Sequence, residues 1–183
     1  LVENRDAIDR RIEELNLQKR AIERTLDSYE RYEAAPPDGS IELEYIPKRQ
    51  MYVKNTNVNF YDYEIDEYER ILRDLKEDMA AHAISPFFFA NAGTILRREN
   101  FMFVDREYVD EELITVIPPS PYLCIYCDRF EKEKEYIDRL LVEIEEKHYT
   151  VTGDYICEVI VEMPLDYTER GMFLRLQVPI RMG

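Results

Sequence analysis

The chain has 183 residues, 45% of them hydrophobic, which is enough for one sizeable core and too few for several domains. Its 39 acidic and 24 basic residues give a formal net charge of −15, which disfavours direct binding to the phosphate backbone of DNA. No run approaches the roughly 18 apolar residues of a membrane span, and the charged start does not resemble a signal peptide. We therefore expect a soluble, cytoplasmic protein with one main domain.

The first 35 residues have the pattern of a dimerisation helix. Apolar residues follow a four-three alternation interrupted only by Arg5 and Lys19, and they are Leu1, Ile8, Ile12, Leu15, Ile22, Leu26 and Tyr29. This narrow seam favours a coiled coil over residues 1–35 that pairs two copies of the chain. The alternative is an amphipathic helix packed on its own domain, which normally shows a broader apolar stripe. Pro36 and Pro37 end the helix.

A first strand-helix-strand-strand unit is predicted over approximately residues 40–105. Ile41, Leu43 and Tyr45 alternate with glutamates, as in a half-buried strand that is interrupted at Pro47 and resumes at 51–53. A helix should follow, with its apolar face formed by Ile65, Tyr68, Leu72, Leu75 and Met79. Two further strands are expected at 94–96 and 101–104.

The same order of elements returns over approximately residues 112–183. IPPSPYLCIYC from Ile117 echoes IPKRQMYV from Ile46, and YIDRLLVEIEE from Tyr136 echoes YERILRDLKE from Tyr68. Closing strands are predicted at 155–163 and 172–179. The sequence therefore predicts an α+β fold, in which a duplicated β-α-β-β domain over 40–183 forms one antiparallel sheet with its helices on one face and a groove on the other.

Three cysteines raise the question of metal or redox chemistry. Cys124 and Cys127 form a C-x-x-C, but they lie in the strand-like run YLCIYC, where residues three apart point to opposite faces. No second Cys/His pair accompanies them, and with Cys157 the count is odd. We predict no metal site and no cofactor, in a reducing compartment.

Glu158 is the residue that departs from its surroundings. It lies in YICEVIVEMP, a very apolar strand, where Ile156 and Ile160 share its face while Cys157, Val159 and Val161 point to the other. A carboxylate in such a place must be solvated, protonated or paired, because its desolvation is unfavourable. We interpret Glu158 as the counter-charge of a cationic ligand; the alternative is an exposed strand glutamate.

Aromatic residues support a ligand site, since the chain has 14 Tyr and 8 Phe and a ring face can hold an organic cation. Tyr61, Tyr63 and Tyr68 cluster where the first helix should begin. Phe173 lies in the strand that should pair with the strand of Glu158. With Glu158, Ile156 and Ile160, these residues form the predicted ligand-binding set.

Taken together, these residues resemble the MerR-type transcription regulators whose C-terminal region is a GyrI-like, SHS2-type, multidrug-binding effector domain. The resemblance covers nearly the whole chain: the leading helix, the twofold repeat, and the stretch YTVTGDYICEVIVEMP followed by MFLRLQVPI. It implies that Glu158 contacts cationic aromatic molecules and that Phe173 and Tyr68 match pocket tyrosines. Ala92 falls where relatives carry a further pocket tyrosine, so the resemblance implies a more open cavity here.

The resemblance also implies the function. We expect the effector-binding and dimerisation region of a transcriptional regulator, a homodimer that contacts DNA through a helix-turn-helix domain preceding Leu1, and not an enzyme. Two alternatives remain open. One is a GyrI-like small-molecule hydrolase with Glu158 as general base, its pKa raised by an apolar site; the other is a gyrase-inhibitor-like module that binds a basic protein.

Overall fold

A computed structural model describes residues 2–55, 70, 73–74, 77, 92–95, 99–103, 110–166 and 169–183. In the described part, two helices have defined bounds, α1 (Val2–Glu33) and α2 (Glu133–Glu146), and residues 70, 73–74 and 77 are also helical. The nine strands of the described part are β1 (Ile41–Ile46), β2 (Arg49–Asn55), β3 (Ala92–Ile95), β4 (Glu99–Phe103), β5 (Ile114–Ile117), β6 (Ser120–Cys127), β7 (Thr150–Val151), β8 (Ile156–Asp166) and β9 (Glu169–Arg181). Most of the helix predicted between Ile65 and Met79 lies outside the described residues.

Helix α1 ends at Glu33, two residues earlier than the predicted end at residue 35, and Ala34 and Ala35 lie between it and Pro36. Of its described residues only Ser28 is buried, so most of α1 extends away from the sheet. A short joint follows, in which Gly39 adopts a φ of +78° and donates its N–H to the Tyr126 carbonyl at 2.8 Å. Asp38 accepts hydrogen bonds from the Tyr136 hydroxyl at 2.7 Å and from Lys132 Nζ at 2.8 Å. These contacts anchor the chain to β6 and α2 immediately after the helix.

The strand order of the sheet confirms the predicted duplication. The order is β1-β6-β9-β8-β3-β4-β2-β5, with β7 paired to β9. The second repeat contributes β6-β9-β8 and the first contributes β3-β4-β2, so each half repeats the other in reverse across the β8–β3 contact. All the pairings are antiparallel. The α+β fold class is therefore as predicted.

The strand predicted to be interrupted at Pro47 is in fact two strands that pair with different halves. β1 pairs with β6 of the second repeat, whereas β2 pairs with β4 and β5. Likewise β5 of the second repeat pairs with β2 of the first before Pro118 and Pro119 lead into β6. Each half therefore lends its leading strand to the outer edge of the other, because the prolines let the chain change direction between the two strands.

The main core lies between α2 and one face of β6, β8 and β9. It includes Leu140 and Ile144 of α2 and, on the strands, Ile125, Cys127, Cys157, Val159, Leu174 and Leu176. Cys124 packs on the other face with Tyr122 and Ile156, so the prediction that the two cysteines of the C-x-x-C point apart is confirmed. The three cysteines are free, and no group of metal-binding side chains occurs in the part of the chain that the structure describes. No described helix is long and apolar enough to cross a membrane.

The predicted position of Val161 is wrong. A bulge between Val159 and Val161 shifts the register of β8 against β9, so that Val161 stands opposite Phe173. Val161 therefore packs with Ile160 and Phe173 on the face away from α2. An extra residue in one strand of an antiparallel pair ends the simple alternation of side chains, which a periodic pattern alone does not show.

Candidate functional site

Glu158 lies in the middle of the sheet, on the face away from α2. Across β9 it stands opposite Arg175, and across β3 it stands opposite Gly93, at the contact between the two repeats. Ile156 and Ile160 share its face, as predicted, and belong to the two apolar clusters on either side of it. The side chain of Glu158 is only 1% exposed.

The two oxygens of the Glu158 carboxylate have different partners. Oε2 accepts hydrogen bonds from Arg175 Nη2 at 2.7 Å and Nε at 3.2 Å, and from Gln177 Nε2 at 2.8 Å. Both donors belong to the neighbouring strand β9. Oε1 accepts a hydrogen bond from Arg31 Nη2 at 2.8 Å, and Arg31 belongs to the last turn of α1. One oxygen is thus held by the sheet itself and the other by an element packed on it. We call these four residues the Glu158 cluster.

The arginines decide the ionisation of Glu158. Burial by itself raises the pKa of the carboxyl group, but the charges and hydrogen bonds of Arg175 and Arg31 outweigh burial and hold the pKa below its ordinary value. Glu158 is therefore an ionised, paired carboxylate at neutral pH. The raised pKa that would suit a general base is not found at this position.

Further polar contacts extend the Glu158 cluster in two directions along the sheet. Arg175 Nη1 lies 2.8 Å from Glu44 Oε2, and Glu44 Oε1 accepts a hydrogen bond from the Tyr126 hydroxyl at 2.6 Å. In the other direction, Gln177 Oε1 accepts a hydrogen bond from Arg49 Nη1 at 2.7 Å. The Arg49 guanidinium also lies 5.0 Å above the ring centre of Tyr122. Ion pairs join Glu158 to Arg31 and Arg175, and Arg175 to Glu44, which makes the burial of these charges tolerable.

The end of α1 covers one side of the Glu158 cluster. The Tyr32 ring packs edge-on against Phe173 with 5.1 Å between the ring centres, and Tyr126 stacks against Phe173 from another side at 5.9 Å. Tyr32 and Ala35 also pack against the cluster that contains Ile160 and Val161. The groove expected on this face is therefore filled at one end by the chain's own helix.

An open pocket of about 490 Å³ lies on the other side of the Glu158 cluster. Its volume falls within the range of small-molecule sites. Ile156 lines the pocket and separates it from Glu158, because it is the preceding residue on the same face of β8. Tyr122 also lines the pocket, and the Arg49 guanidinium above its ring donates a hydrogen bond to Gln177 of the Glu158 cluster. Its apolar wall is formed mainly by Val53, Ile117, Pro118, Tyr122, Ile156 and Pro179.

No protein-family model and no curated protein sequence matches the chain. Solved structures do. The C-terminal domain of EcmrR superposes with a TM-score of 0.61 at 13% identity, covering 79% of this chain and 99% of that domain. EcmrR in its complex with DNA gives a TM-score of 0.63 at 16% identity, covering 96% of this chain and 72% of EcmrR. An uncharacterised conserved protein from Listeria innocua gives 0.50 at 11% identity, covering 84% and 98%.

The chain has a GyrI-like fold. At these identities the similarity concerns the arrangement of helices and strands alone, so the functional residues must be judged by their own geometry. In this GyrI-like sheet Glu158 is central, and Ile156, Ile160 and Phe173 surround it on the same face, as the sequence predicts. Tyr61, Tyr63 and Tyr68 lie outside the described residues, and their place in the site stays a prediction.

The sequence reasoning missed the partners of Glu158. Arg175 and Gln177 carry a detectable signal, because they are the alternate polar residues of the apolar run MFLRLQVPI. Across the antiparallel pair Arg175 stands opposite Glu158, and Gln177 stands opposite Ile156 on the same face. Arg31 and Tyr32 carry no such signal. They look like ordinary residues of a charged helix, and only the packing of α1 on β8 brings them to the site.

Proposed function

We propose that this domain binds small amphipathic organic cations that carry aromatic rings, and that it is the effector-binding and dimerisation region of a transcription regulator of the MerR type. The observation that carries the proposal is the divided pairing of Glu158. A buried, ionised carboxylate keeps one oxygen on strand β9 and offers the other to a cation from outside the sheet. An organic cation can supply the positive charge that Arg31 now places beside this second oxygen.

The open pocket supports the size and chemistry of this ligand. Its apolar wall provides surface for aromatic rings, and Ile156, which lines the pocket, is two positions from Glu158 on the same face of β8. Ile156 then lies between the rings and the charge. Phe173 and Ile160 lie beyond the carboxylate, where Tyr32 now packs.

The low pKa of Glu158 argues against the hydrolase alternative. A general base works best when its pKa is near the working pH, and a carboxylate stabilised by two guanidiniums is a weak base. The gyrase-inhibitor-like alternative needs no buried counter-charge, and it is favoured if no cation binds.

The test of the cation site is a titration with tetraphenylphosphonium, a rigid aromatic cation, alongside neutral triphenylphosphine oxide. We expect the cation to bind more tightly, and Glu158→Gln to weaken its binding about 10- to 100-fold, since a hydrogen-bonded charge contributes that much. Calorimetry gives the dissociation constants. Glu145→Gln on α2 removes the same charge from an exposed position and serves as the matched control. Unchanged affinity in Glu158→Gln would refute the role of this residue.

The dimer is supported by the exposed seam of α1. Its apolar residues are 44–62% exposed in the single chain, and they are Ile8, Ile12, Leu15, Ile22, Leu26 and Tyr29. Because a stripe of this length in a heptad pattern is stable when it is covered by another helix, we infer pairing with α1 of a second copy. This pairing would carry the effector signal to the DNA-binding domains of both copies.

Sedimentation velocity at micromolar concentration tests this pairing. We expect twice the mass of one chain for the wild type, and a monomer for Ile22→Asp, which places a charge in the seam. Asn16→Asp adds the same charge at an exposed position next to the seam and should remain dimeric. A monomeric wild type would rule out the dimer.

A further inference from the structure

The last turn of α1 carries the same chemistry as the proposed effector. Arg31 and Tyr32 are consecutive, and a guanidinium cation and an aromatic ring from this turn both contact the same face of the sheet. The cation contacts Glu158 at 2.8 Å, and the ring packs on Phe173 at 5.1 Å. A tethered cation and ring thus occupy the carboxylate and the aromatic surface that an amphipathic aromatic cation would need.

The two sides of the Arg31–Glu158 pair differ in exposure. The Arg31 side chain is 37% exposed and the Glu158 side chain 1%. Water therefore already reaches the Arg31 guanidinium. Little hydration has to change when Arg31 leaves Glu158 or returns to it. Arg175 is only 13% exposed and is also held by Glu44, so it has no comparable freedom. Of the two guanidiniums on the carboxylate, Arg31 is the one that can be exchanged.

Departure of Arg31 would leave a competent site. Glu158 Oε2 keeps its hydrogen bonds from Arg175 and Gln177, so the carboxylate stays ionised and oriented on the sheet. Its other oxygen then needs a new cation, because leaving a buried charge half-paired is unfavourable. The joint that follows α1 does not depend on Arg31, since Asp38 and Gly39 bind β6 and α2 through their own contacts.

We infer that residues 28–35, the end of α1 and the two residues after it, are an internal occupant of the effector site, and that an aromatic cation binds by displacing Arg31 and Tyr32 from Glu158 and Phe173. The inference rests on the proposed cation site and adds its regulation. Effector binding then frees the last turn of α1 from β8 while the joint at residues 36–39 holds. The helix that pairs the two copies changes its attachment to the sheet, which gives the site a direct mechanical link to the dimer.

When a tethered group competes for the site, the apparent affinity for the effector equals the affinity of the open site multiplied by the fraction of time that the site is open. Removal of the competitor should therefore tighten binding, which is opposite to the usual effect of a mutation in a site. We expect Arg31→Gln to bind tetraphenylphosphonium about fivefold more tightly than the wild type. Arg31→Lys keeps the cation, and its affinity for tetraphenylphosphonium should stay closer to that of the wild type. Arg10→Gln removes the same charge from the exposed part of α1 and should bind with the affinity of the wild type.

The second measurement is hydrogen exchange of the amides of residues 28–35 in the wild-type dimer, with and without tetraphenylphosphonium. We expect faster exchange when the cation is bound, because the last turn loses its support on β8. Circular dichroism confirms that each variant is folded. Slower exchange in the presence of the cation would overturn the inference, and so would unchanged or weaker binding by Arg31→Gln.

The outcomes separate this inference from the cation site itself. If Glu158→Gln loses binding while Arg31→Gln gains none, the cation site stands and the displacement is wrong. If the wild type binds no tetraphenylphosphonium and Arg31→Gln does, the internal occupant is established as a strong competitor. If neither binds it, both proposals fail, because the unblocked carboxylate should have accepted the cation.

Discussion

The two faces of strands β6, β8 and β9 show how one set of strands supports two kinds of environment. Toward α2 the strands present Leu174, Leu176 and Cys157, and the core there is apolar. On the opposite face the same strands present Arg175, Gln177 and Glu158 in alternation with them. Both faces are well buried, but among these strand residues the ion-paired carboxylate, Glu158, lies on the face away from α2. Buried charge on a face that could have been apolar is the reason why we propose the ligand site on that face.

The Glu158 cluster also explains why such a face is sensitive to change. A substitution in an apolar core lowers the stability of the protein in proportion to the side-chain volume that it removes. A substitution in a network of ion pairs lowers the stability because it leaves the partner as a buried, unpaired charge. The two kinds of damage can be told apart, because only the second depends on pH.

The largest effect is expected on the α2 face. Leu140 is fully buried at the centre of the main core, so Leu140→Ala should lower the free energy of unfolding by about 4 kcal/mol through lost contacts and the cavity it leaves. Urea denaturation at two pH values, 7 and about 4.5, should show similar losses. Leu141→Ala removes the same atoms from a side chain that is 47% exposed and should change stability little. A strongly pH-dependent loss in Leu140→Ala would contradict the distinction between the faces.

A somewhat smaller effect, with a clear pH dependence, is expected on the opposite face. Arg175→Met leaves Glu158 and Glu44 without their shared guanidinium and should lower the free energy of unfolding by about 3 kcal/mol at pH 7. Because the folded wild type holds the pKa of Glu158 below the ordinary 4.5, this stabilisation is complete above that pH and is lost as the pH falls further. In Arg175→Met the burial of Glu158 still raises the pKa of its carboxyl group, but Arg175 no longer lowers it, so this pKa rises.

The difference in stability between the wild type and Arg175→Met should therefore narrow as the pH is lowered toward about 4, which urea denaturation at several pH values measures. Arg181→Met removes an exposed arginine from the end of the same strand and serves as the control. A gap that stays constant with pH would mean that Arg175 acts by packing and not by its charge.

Much of the fold could be predicted from local patterns. The period of the apolar residues located α1, α2 and most strands, and the echo of IPKRQMYV in IPPSPYLCIYC revealed the duplication that the strand order shows. Glu158 could be singled out in the same way, because an acid between isoleucines on one face of a strand violates the pattern around it. The bulge at Val159 and Val161 could not, since it depends on how β8 fits β9.

The primary structure was thus sufficient to locate the buried acid and the repeated framework around it, because periodicity and residue type are properties of neighbouring positions. The partners of that acid were decided by tertiary packing. Arg175 is 17 residues from Glu158 and Arg31 is 127 residues away, and the second of these distances is closed only when the end of α1 docks on the sheet. Whether a buried carboxylate is raised or lowered in pKa depends on which charges arrive beside it, and no local pattern contains that information.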